Sequence, residues 1–465
     1  MRISAIIQRT FCLVAASLSA IASSAFPLDI SGIDTTRTAI YIEDLRFGVP
    51  IIAENIDASL VPASIMKSVT VASALAIGDP EERFVTPVTA VGNILPDGTL
   101  DGNIVVTASG DPSIESSFLD GTRGFCDSIV TAAVNAGITA VNGDIIIKEE
   151  GFEDDRVPAG WMDEDVAWPY GAGHHGANFR DNRFTLRLPS RETVPYVPDL
   201  DLRIITRGKK QGLKATRNRD TETFTFTGRV PRRGYSDRLA MPRPAKVMRH
   251  EIIEKLRTAG IEVLQSTVKP EKESILLYTH LSPTFREIMR SLMFRSDNMM
   301  AEGMLRALRP GGSRADAVKE ELAVWSDAGI SLAGINIEDG SGLSRNDRLT
   351  ARFLAEVLKT MTSPDYSDDY TSLFPRAGYE GTVRNFLAGT HLEWDIALKT
   401  GSMRGVQSFA GYKFDEEGRP THIIIFIVNR FTCNRATLKN AISRLLLEKF
   451  PLSLQSETPT EPTDL

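Results

Sequence analysis

The sequence predicts a mixed α/β (α+β) protein in which an antiparallel sheet flanked by helices is interrupted by a large inserted, mainly β module or two nested modules. Three observations predict it. A short hairpin pattern at residues 36–55 leads into an alanine-rich helical stretch, 62–78. Residues 149–270 are aromatic, basic and irregular, with short β runs and one helical segment. A helical pattern returns near 281 and ends in strands and a last helix, so the two ends of the chain share one character and the middle another. At 465 residues the chain is long enough for two or three domains, each with a core. We expect a leader at 1–25, a discontinuous domain of 26–85 and 276–450, an insert of 86–275, and a disordered tail, 451–465, rich in Ser, Thr, Glu and Pro.

In order, TRTAIYIEDL (36–45) has β-branched and aromatic strand character, and RFGVPIIAEN supplies a Gly-Val-Pro turn and a second strand. In PASIMKSVTVASALAIG (62–78), Pro62 suits a first helical turn and Gly78 a stop, while Ile65, Val69, Ala72 and Ala76 recur at helical spacing. RFVTPVTAVGNILPDGTLDGNIVVTASGDP alternates β runs with Pro-Asp-Gly and Asp-Gly turns and reads as a meander. Residues 124–137 are helical by period, and 138–148 form a strand. FTLRL, LRIIT and TFTFTG are strands of the insert, and 246–259 is a helix stopped by Gly260 before the strand IEVL. From 282 to 310 a helical pattern opens on Ser282 as N-cap candidate and ends at Pro310. Helices at 314–327 and 351–361, two or three strands within 396–430 and a last helix ending at Phe450 complete the chain.

Hydrophobic residues at 42% and charged residues at 24% exclude wholesale disorder. A net charge of -7 speaks against a nucleic-acid partner. The N-terminus has Arg2 and Arg9, the apolar run TFCLVAASLSAIA and then Ser23, Ser24 and Ala25, the pattern of an export signal cleaved near Ala25. The apolar run is too short to span a membrane comfortably, and no later segment is long enough, so an exported, periplasmic or extracytoplasmic protein is expected. Cys12 leaves with the leader. Cys126 and Cys433 are not a disulfide framework, and both pairing and two buried free thiols stay open.

Ser64 and Lys67 stand three apart on one helical face, where a lysine amine kept from water can take the serine proton. S-x-x-K alone is weak. Ser266 and Lys269 match it too, but Pro270 follows and no helical pattern surrounds them. Two other segments belong with the pair: Ser296-Asp297-Asn298 on a helical stretch and Lys399-Thr400-Gly401 on a strand. Alone, the first reads as a polar kink and the second as a strand end. Ser344-Arg345-Asn346 matches S-x-N as well but lies in the glycine-rich loop DGSGLSR. The three together, in this order and on these element types, are a strong signal.

With them stand SGDP (109–112), NGDI (142–145), SDNMMAE (296–302), DGSGLSR (339–345), GTVRN (381–385) and KTGSMRGVQSFAGY (399–412). In all these pieces the chain resembles the serine penicillin-recognising enzymes, and within them the D-alanyl-D-alanine carboxypeptidase/endopeptidase family of class C low-molecular-mass penicillin-binding proteins, peptidase family S13. The resemblance implies a penicillin-binding-protein/β-lactamase-like transpeptidase domain and accounts for the insert. It implies Ser64 as nucleophile, Lys67 as base and Ser296 as proton relay to the leaving amine. It gives substrate binding to Asn298, Lys399, Thr400, Gly401, Ser402, Arg345, Leu343 and Met403, with Lys399 and Thr400 on the terminal carboxylate and Gly401 admitting the substrate backbone. The oxyanion hole it implies is the backbone N–H of Ser64 and of Ser402.

The implied partners are peptidoglycan stem peptides ending in D-Ala-D-Ala and β-lactams as covalent inhibitors, with no cofactor and no metal. Contact of the last helix with a membrane surface, and the oligomeric state, stay open. The chain departs from the family where Lys148, Glu149 and Glu150 replace an expected aspartate and where Arg404 replaces a small hydroxyl residue. These departures leave open a different stem-peptide residue, an amidated one, or the same one held otherwise. His174-His175 lack partner ligands at metal spacing and read as a glycine-flanked loop, and Trp161 and Trp168 read as domain-packing residues. A β-lactamase or esterase of the same fold is disfavoured by the insert, and a silent wall-binding protein by the intact Ser64, Lys67, Ser296, Asn298 and Lys399.

Overall fold

A hairpin opens the fold, as the sequence predicts: β1 (Thr38–Asp44) pairs antiparallel with β2 (Val49–Glu54). The computed structural model describes residues 26–452 other than 29, 150, 153–155, 207–211, 220 and 268–272. The leader, its cleavage point near Ala25, Cys12, Glu150, Lys269 and the tail beyond 452 lie outside the described residues. Pro50 sits on β2, an edge strand, where a missing N–H breaks no inner ladder. Next come a 3-10 turn at Ala63–Ile65 and helix α1 (Met66–Ile77). Ser64 thus lies in the turn ahead of the α-helix rather than within it. Gly78 is extended (φ -107°), so it ends the helix without a left-handed cap. Ten of the twelve α1 residues are buried, so the helix runs through the interior instead of showing one apolar stripe.

The insert begins with β3 (Val85–Ile94) and β4 (Thr99–Thr107). They form one long hairpin in place of the expected meander, because Pro96-Asp97-Gly98 makes a tight turn between matched strands. Helix α2 (Phe125–Asn135) follows. The predicted strand at 138–148 is broken by Asn142-Gly143 into β5 (Ala140–Val141) and β6 (Ile145–Lys148), both parallel to β4. Strands β7 (Arg183–Leu188), β8 (Glu192–Val194), β9 (Leu202–Ile205), β10 (Gly212–Arg217), β11 (Phe224–Arg229) and β12 (Tyr235–Ala240) build two three-stranded sheets, β12-β7-β8 and β10-β11-β9. Helix α3 (Pro244–Thr258) and β13 (Glu262–Val263) follow, and β14 (Ser274–Leu281) runs across the expected end of the insert at 275. β14 lies antiparallel to β3, so the chain leaves beside where it entered.

The stretch 282–310 is two helices, α4 (Phe285–Arg295) and α5 (Asn298–Ala307). Its N-cap is Thr284 and not Ser282, since Pro283 biases Ser282 away from helix while the Thr284 hydroxyl and Glu287 carboxylate cap one another's backbone. The break falls at Ser296, which is left-handed (φ 60°), and Asp297 then caps α5. Helices α6 (Arg314–Asp327), α7 (Ala351–Thr360) and α8 (Ser367–Thr371) precede β15 (Ile396–Met403), β16 (Val406–Phe414) and β17 (Pro420–Asn429), and α9 (Arg435–Lys449) closes the chain.

The five-stranded antiparallel sheet has the order β15-β16-β17-β1-β2. It is covered on both faces, which explains the unbroken apolar run of β17: Ile423, Ile425 and Ile427 join the core with α1, α4, α5, α6 and α7, while Ile424, Phe426 and Val428 join the core with α9. The insert has its own core around Phe125, Phe184, Phe224 and Leu256. Cys126 is buried there, and Cys433 is half-buried near α9; both are free thiols. Among the described residues no helix is long and apolar enough to cross a membrane.

Candidate active site

Lys67 sits on the first turn of α1, fully buried, and its Nζ donates to three oxygens: Ser64 Oγ at 3.1 Å, Asn298 Oδ1 at 2.6 Å and the Ser341 carbonyl at 2.6 Å. An ammonium has three N–H donors, and all three are used here. Burial pushes the Lys67 pKa down to about 8, against the opposing pull of Asp339, Asp297, Glu302 and Asp347. Once neutral, the amine keeps two N–H bonds to Asn298 and Ser341 and turns its lone pair to Ser64 Oγ, which then becomes the donor. That is the geometry of a base beside a nucleophile.

The turn carrying Ser64 is held from several sides. Ala63 is left-handed (φ 50°), an uncommon conformation that its surroundings must enforce. Val61 exchanges two hydrogen bonds with the Asn429 side chain (2.9 and 3.0 Å), and Ser408 Oγ donates to the Pro62 carbonyl at 2.5 Å. Two glycines press on the same turn. A Cβ on Gly342 would lie 2.0 Å from the Ala63 carbonyl oxygen, and one on Gly401 would lie 2.1 Å from Ser408 Oγ and 3.0 Å from the Ser64 amide nitrogen. A side chain on Gly401 would therefore meet the backbone of the Ser64 turn, a close approach that the sequence does not announce.

Lys399 and Ser296 form a second linked pair. Lys399 Nζ donates to Ser296 Oγ at 2.9 Å and to the Thr400 carbonyl at 2.9 Å. Burial, then the Lys67 charge, holds the Lys399 pKa well below the usual lysine range. Thr400 Oγ1 donates to Thr382 Oγ1 at 2.8 Å, which brings the GTVRN segment to the site. β15 is the outer strand of its sheet, and residues 375–377 cover that edge only as far as the Leu398 amide. By strand alternation the N–H groups of Thr400 and Ser402 face the same edge, where it lies open. Behind it, the buried Gln407 donates from Nε2 to the Gly401 carbonyl (3.1 Å) and accepts from Ser402 Oγ (3.1 Å) and Arg435 (2.7 Å). Arg435 also donates to the Met403 carbonyl at 2.6 Å, clamping the β15–β16 turn.

The remaining predicted residues line the rim. Leu343 and Met403 are half-buried, and Arg345 is exposed with its Nε 3.1 Å from Met162 Sδ of the insert. Arg404 and Lys148 are exposed, and Glu149 is engaged inside the insert, accepting from the Ala177 amide (3.1 Å) beside Arg156 (3.7 Å). Trp161 is buried, and its Nε1 donates to Asp339 Oδ2 of the DGSG turn at 2.6 Å. His174 and His175 are buried, the former with Nε2 2.7 Å from the Gly110 carbonyl. Among the described residues no group of three His, Cys, Asp or Glu side chains is arranged to hold a metal. The carbonyls of Ser341, 2.6 Å from Lys67 Nζ, and of Tyr170, 2.7 Å from Asn298 Nδ2, were not legible in the sequence, because main-chain oxygens have no residue signature. Nor were Gly342 and Thr382 legible as parts of the site, although the motifs that contain them were visible.

Comparison with known proteins gives a consistent picture. The D-alanyl-D-alanine carboxypeptidase DacB of Haemophilus influenzae is 26% identical over 436 residues, covering 86% of this chain and 86% of that protein. A D-alanyl-D-alanine carboxypeptidase of Actinomadura sp. is 26% identical over 435 residues, covering 86% of this chain and 79% of that one. The crystal structure of penicillin binding protein 4 from Haemophilus influenzae superposes with a TM-score of 0.75 at 23% identity, over 90% of this chain and 97% of that chain, and so shares the fold. The model of the D-Ala-D-Ala carboxypeptidase 3 (S13) family matches residues 23–448, nearly the full length, and the chain belongs to that family.

Proposed function

We propose that the protein is an exported serine D-alanyl-D-alanine carboxypeptidase and/or endopeptidase that acts on peptidoglycan stem peptides through an acyl-enzyme on Ser64, with β-lactams as covalent inhibitors. The observation that carries this reading is Lys67 Nζ, buried and 3.1 Å from Ser64 Oγ, with its other two protons already placed on Asn298 and Ser341. Lys67 takes the Ser64 proton as Oγ attacks the carbonyl between the two D-alanines. The amides of Ser64 and Ser402 receive the developing oxyanion, each contributing about 3 kcal/mol in comparable acyl-transfer sites. Ser296, held by Lys399, passes a proton to the leaving amine, and water then hydrolyses the acyl-enzyme. Thr400 and the Lys399 charge hold the terminal carboxylate, and Arg345, Leu343 and Met403 meet the rest of the peptide at the rim. Residues 26–85 with 276–450 form the peptidase domain and 86–275 the inserted domain, supported by the pairing of β3 with β14 at its two ends.

Labelling with a fluorescent penicillin tests the reading. We expect a stable adduct on the wild type and none on Ser64→Ala or Lys67→Ala; Ser64-independent labelling would sink it, and rapid loss of the adduct would point to a β-lactamase. Release of D-alanine from a pentapeptide, compared with cleavage of a cross-linked dimer, then assigns carboxypeptidase or endopeptidase action.

A further inference from the structure

Two of the three acceptors around Lys67 belong to segments that the insert grips. Asn298 can present either end of its amide to Lys67, but its Nδ2 donates to the Tyr170 carbonyl at 2.7 Å, in the 3-10 turn Pro169–Gly171 of the insert. That contact decides the amide's orientation, because the reversed amide would set an NH2 group against the lysine N–H donors and an oxygen against a carbonyl. Beside it, Arg183 on β7 donates to Asp297 Oδ2 at 2.7 Å, while Asp297 Oδ1 caps α5 through the Met300 amide at 3.0 Å. The Asp297 side chain is 3% exposed, and the Arg183 guanidinium is its ion-pair partner there. On the other flank, Trp161, 1% exposed, donates from Nε1 to Asp339 Oδ2 at 2.6 Å. Asp339 gathers the amides of Ser341 (3.1 Å), Gly342 (2.5 Å) and Ser344 (2.7 Å), which fixes the turn whose Ser341 carbonyl meets Lys67.

We infer that Trp161, the Tyr170 carbonyl and Arg183 are a positioning device by which the insert sets Lys67 from outside the peptidase core, and that Arg183 also tunes its protonation by neutralising Asp297. The inference rests on the proposed acyl-transfer role of Lys67. The titratable groups that face Lys67 are Asp297 and Glu302 of the α5 segment, Asp339 and Asp347 of the loop before α7, and Lys399 of β15; burial raises the Glu302 carboxyl to about 7 and that of Asp347 well above the usual carboxylate range. Arg314 on α6 pairs with Glu302, as Arg183 does with Asp297. Removing the Arg183 charge leaves Asp297 uncompensated, favours the ammonium form of Lys67, and moves the onset of base catalysis to higher pH.

The test is the acylation rate by a fluorescent penicillin, measured on the full-length wild type, Arg183→Gln, Arg183→Lys and Trp161→Phe. For Arg183→Gln we expect roughly tenfold slower acylation at neutral pH, an unchanged dissociation constant for the non-covalent complex, and an acid limb displaced upward by about half a pH unit or more. Arg183→Lys restores the limb, which a purely structural role would not require. An Arg183→Gln limb that coincides with the wild type overturns the inference, even if the rate falls. If Arg183→Gln does not fold, Trp161→Phe decides: slower acylation with unchanged binding supports the device, and a wild-type rate overturns it. A wild type that is not acylated at Ser64 at all would instead overturn the proposed function, a result distinguishable from the others.

Discussion

Lys67 gives the site its chemistry through burial and acceptors, and its pH dependence has a definite sign. With a pKa pushed down to about 8, the neutral amine dominates only above that pH, so acylation should fall about tenfold per pH unit below it and level off above it. A pH series of single-turnover acylation checks this. Behind Lys67, Glu321 on α6 is also buried, and burial pushes its carboxyl from 4.5 up to about 8. Its neighbours are Ser73 Oγ, 3.4 Å away, and, through Ser73, the indole of Trp325. A raised acid binds its proton more tightly when folded, so its stabilising contribution is complete below the unfolded value and is lost as pH rises from 4.5 towards 8. Glu321→Gln removes that loss. Its Tm should fall less than the wild type's between pH 5 and pH 8, by a difference on the order of 2 kcal/mol in stability. The Ser-x-x-Lys pair was legible because i, i+3 spacing is local helical geometry; Glu321 was not, since nothing near it in sequence announces its burial.

At the level of elements, the cleft forms where the 3-10 turn before α1, the α4–α5 break and the edge strand β15 meet. Gly401 is the tightest of these meetings, and a methyl there has no free direction, with Ser408 Oγ at 2.1 Å and the Pro62 carbonyl oxygen at 2.7 Å. Gly401→Ala should push β15 from the Ser64 turn, cutting acylation by about a hundredfold or more while costing about 1–3 kcal/mol of stability. Penicillin labelling and thermal melting check the two effects separately. Arg435, the first residue of α9, clamps the β15–β16 turn through the Met403 and Val406 carbonyls at 2.6 and 2.9 Å. Arg435→Met should loosen the Ser402 amide and slow acylation about tenfold, with the fold retained. Helical periodicity and stop residues located most helices; the capping box of Ser313 and Asp316 on α6 is seen only in the structure. They did not show that 282–310 divides at Ser296, because the left-handed residue there is held by tertiary contacts and not by glycine.

For the whole molecule, the apolar residues collect in a core around the five-stranded sheet's two faces and a separate core in the insert. Cys126 and Cys433 report on different parts of it. Burial pushes the Cys126 thiol far up, with Glu251 and Glu115 adding to the effect, while Cys433 is half-buried near α9. In the native protein a thiol reagent should modify Cys433 and leave Cys126 untouched until the insert unfolds. Mass spectrometry of alkylated protein across a urea series, read beside penicillin labelling of Ser64, shows whether the insert and the site are lost together. The sequence by itself determined the family motifs, the spacing that pairs Ser64 with Lys67, the element types along most of the chain and the different character of its long middle stretch, because each rests on local spacing and composition. Only the tertiary structure decided that the insert reaches back to hold Asn298 and Asp339, that Gly401 yields space to the Ser64 turn and that Lys67 loses its charge more easily than an ordinary lysine. Those depend on which main-chain oxygens and buried charges lie within a few ångströms, and residues more than a hundred positions apart are brought there by packing, which local sequence does not encode.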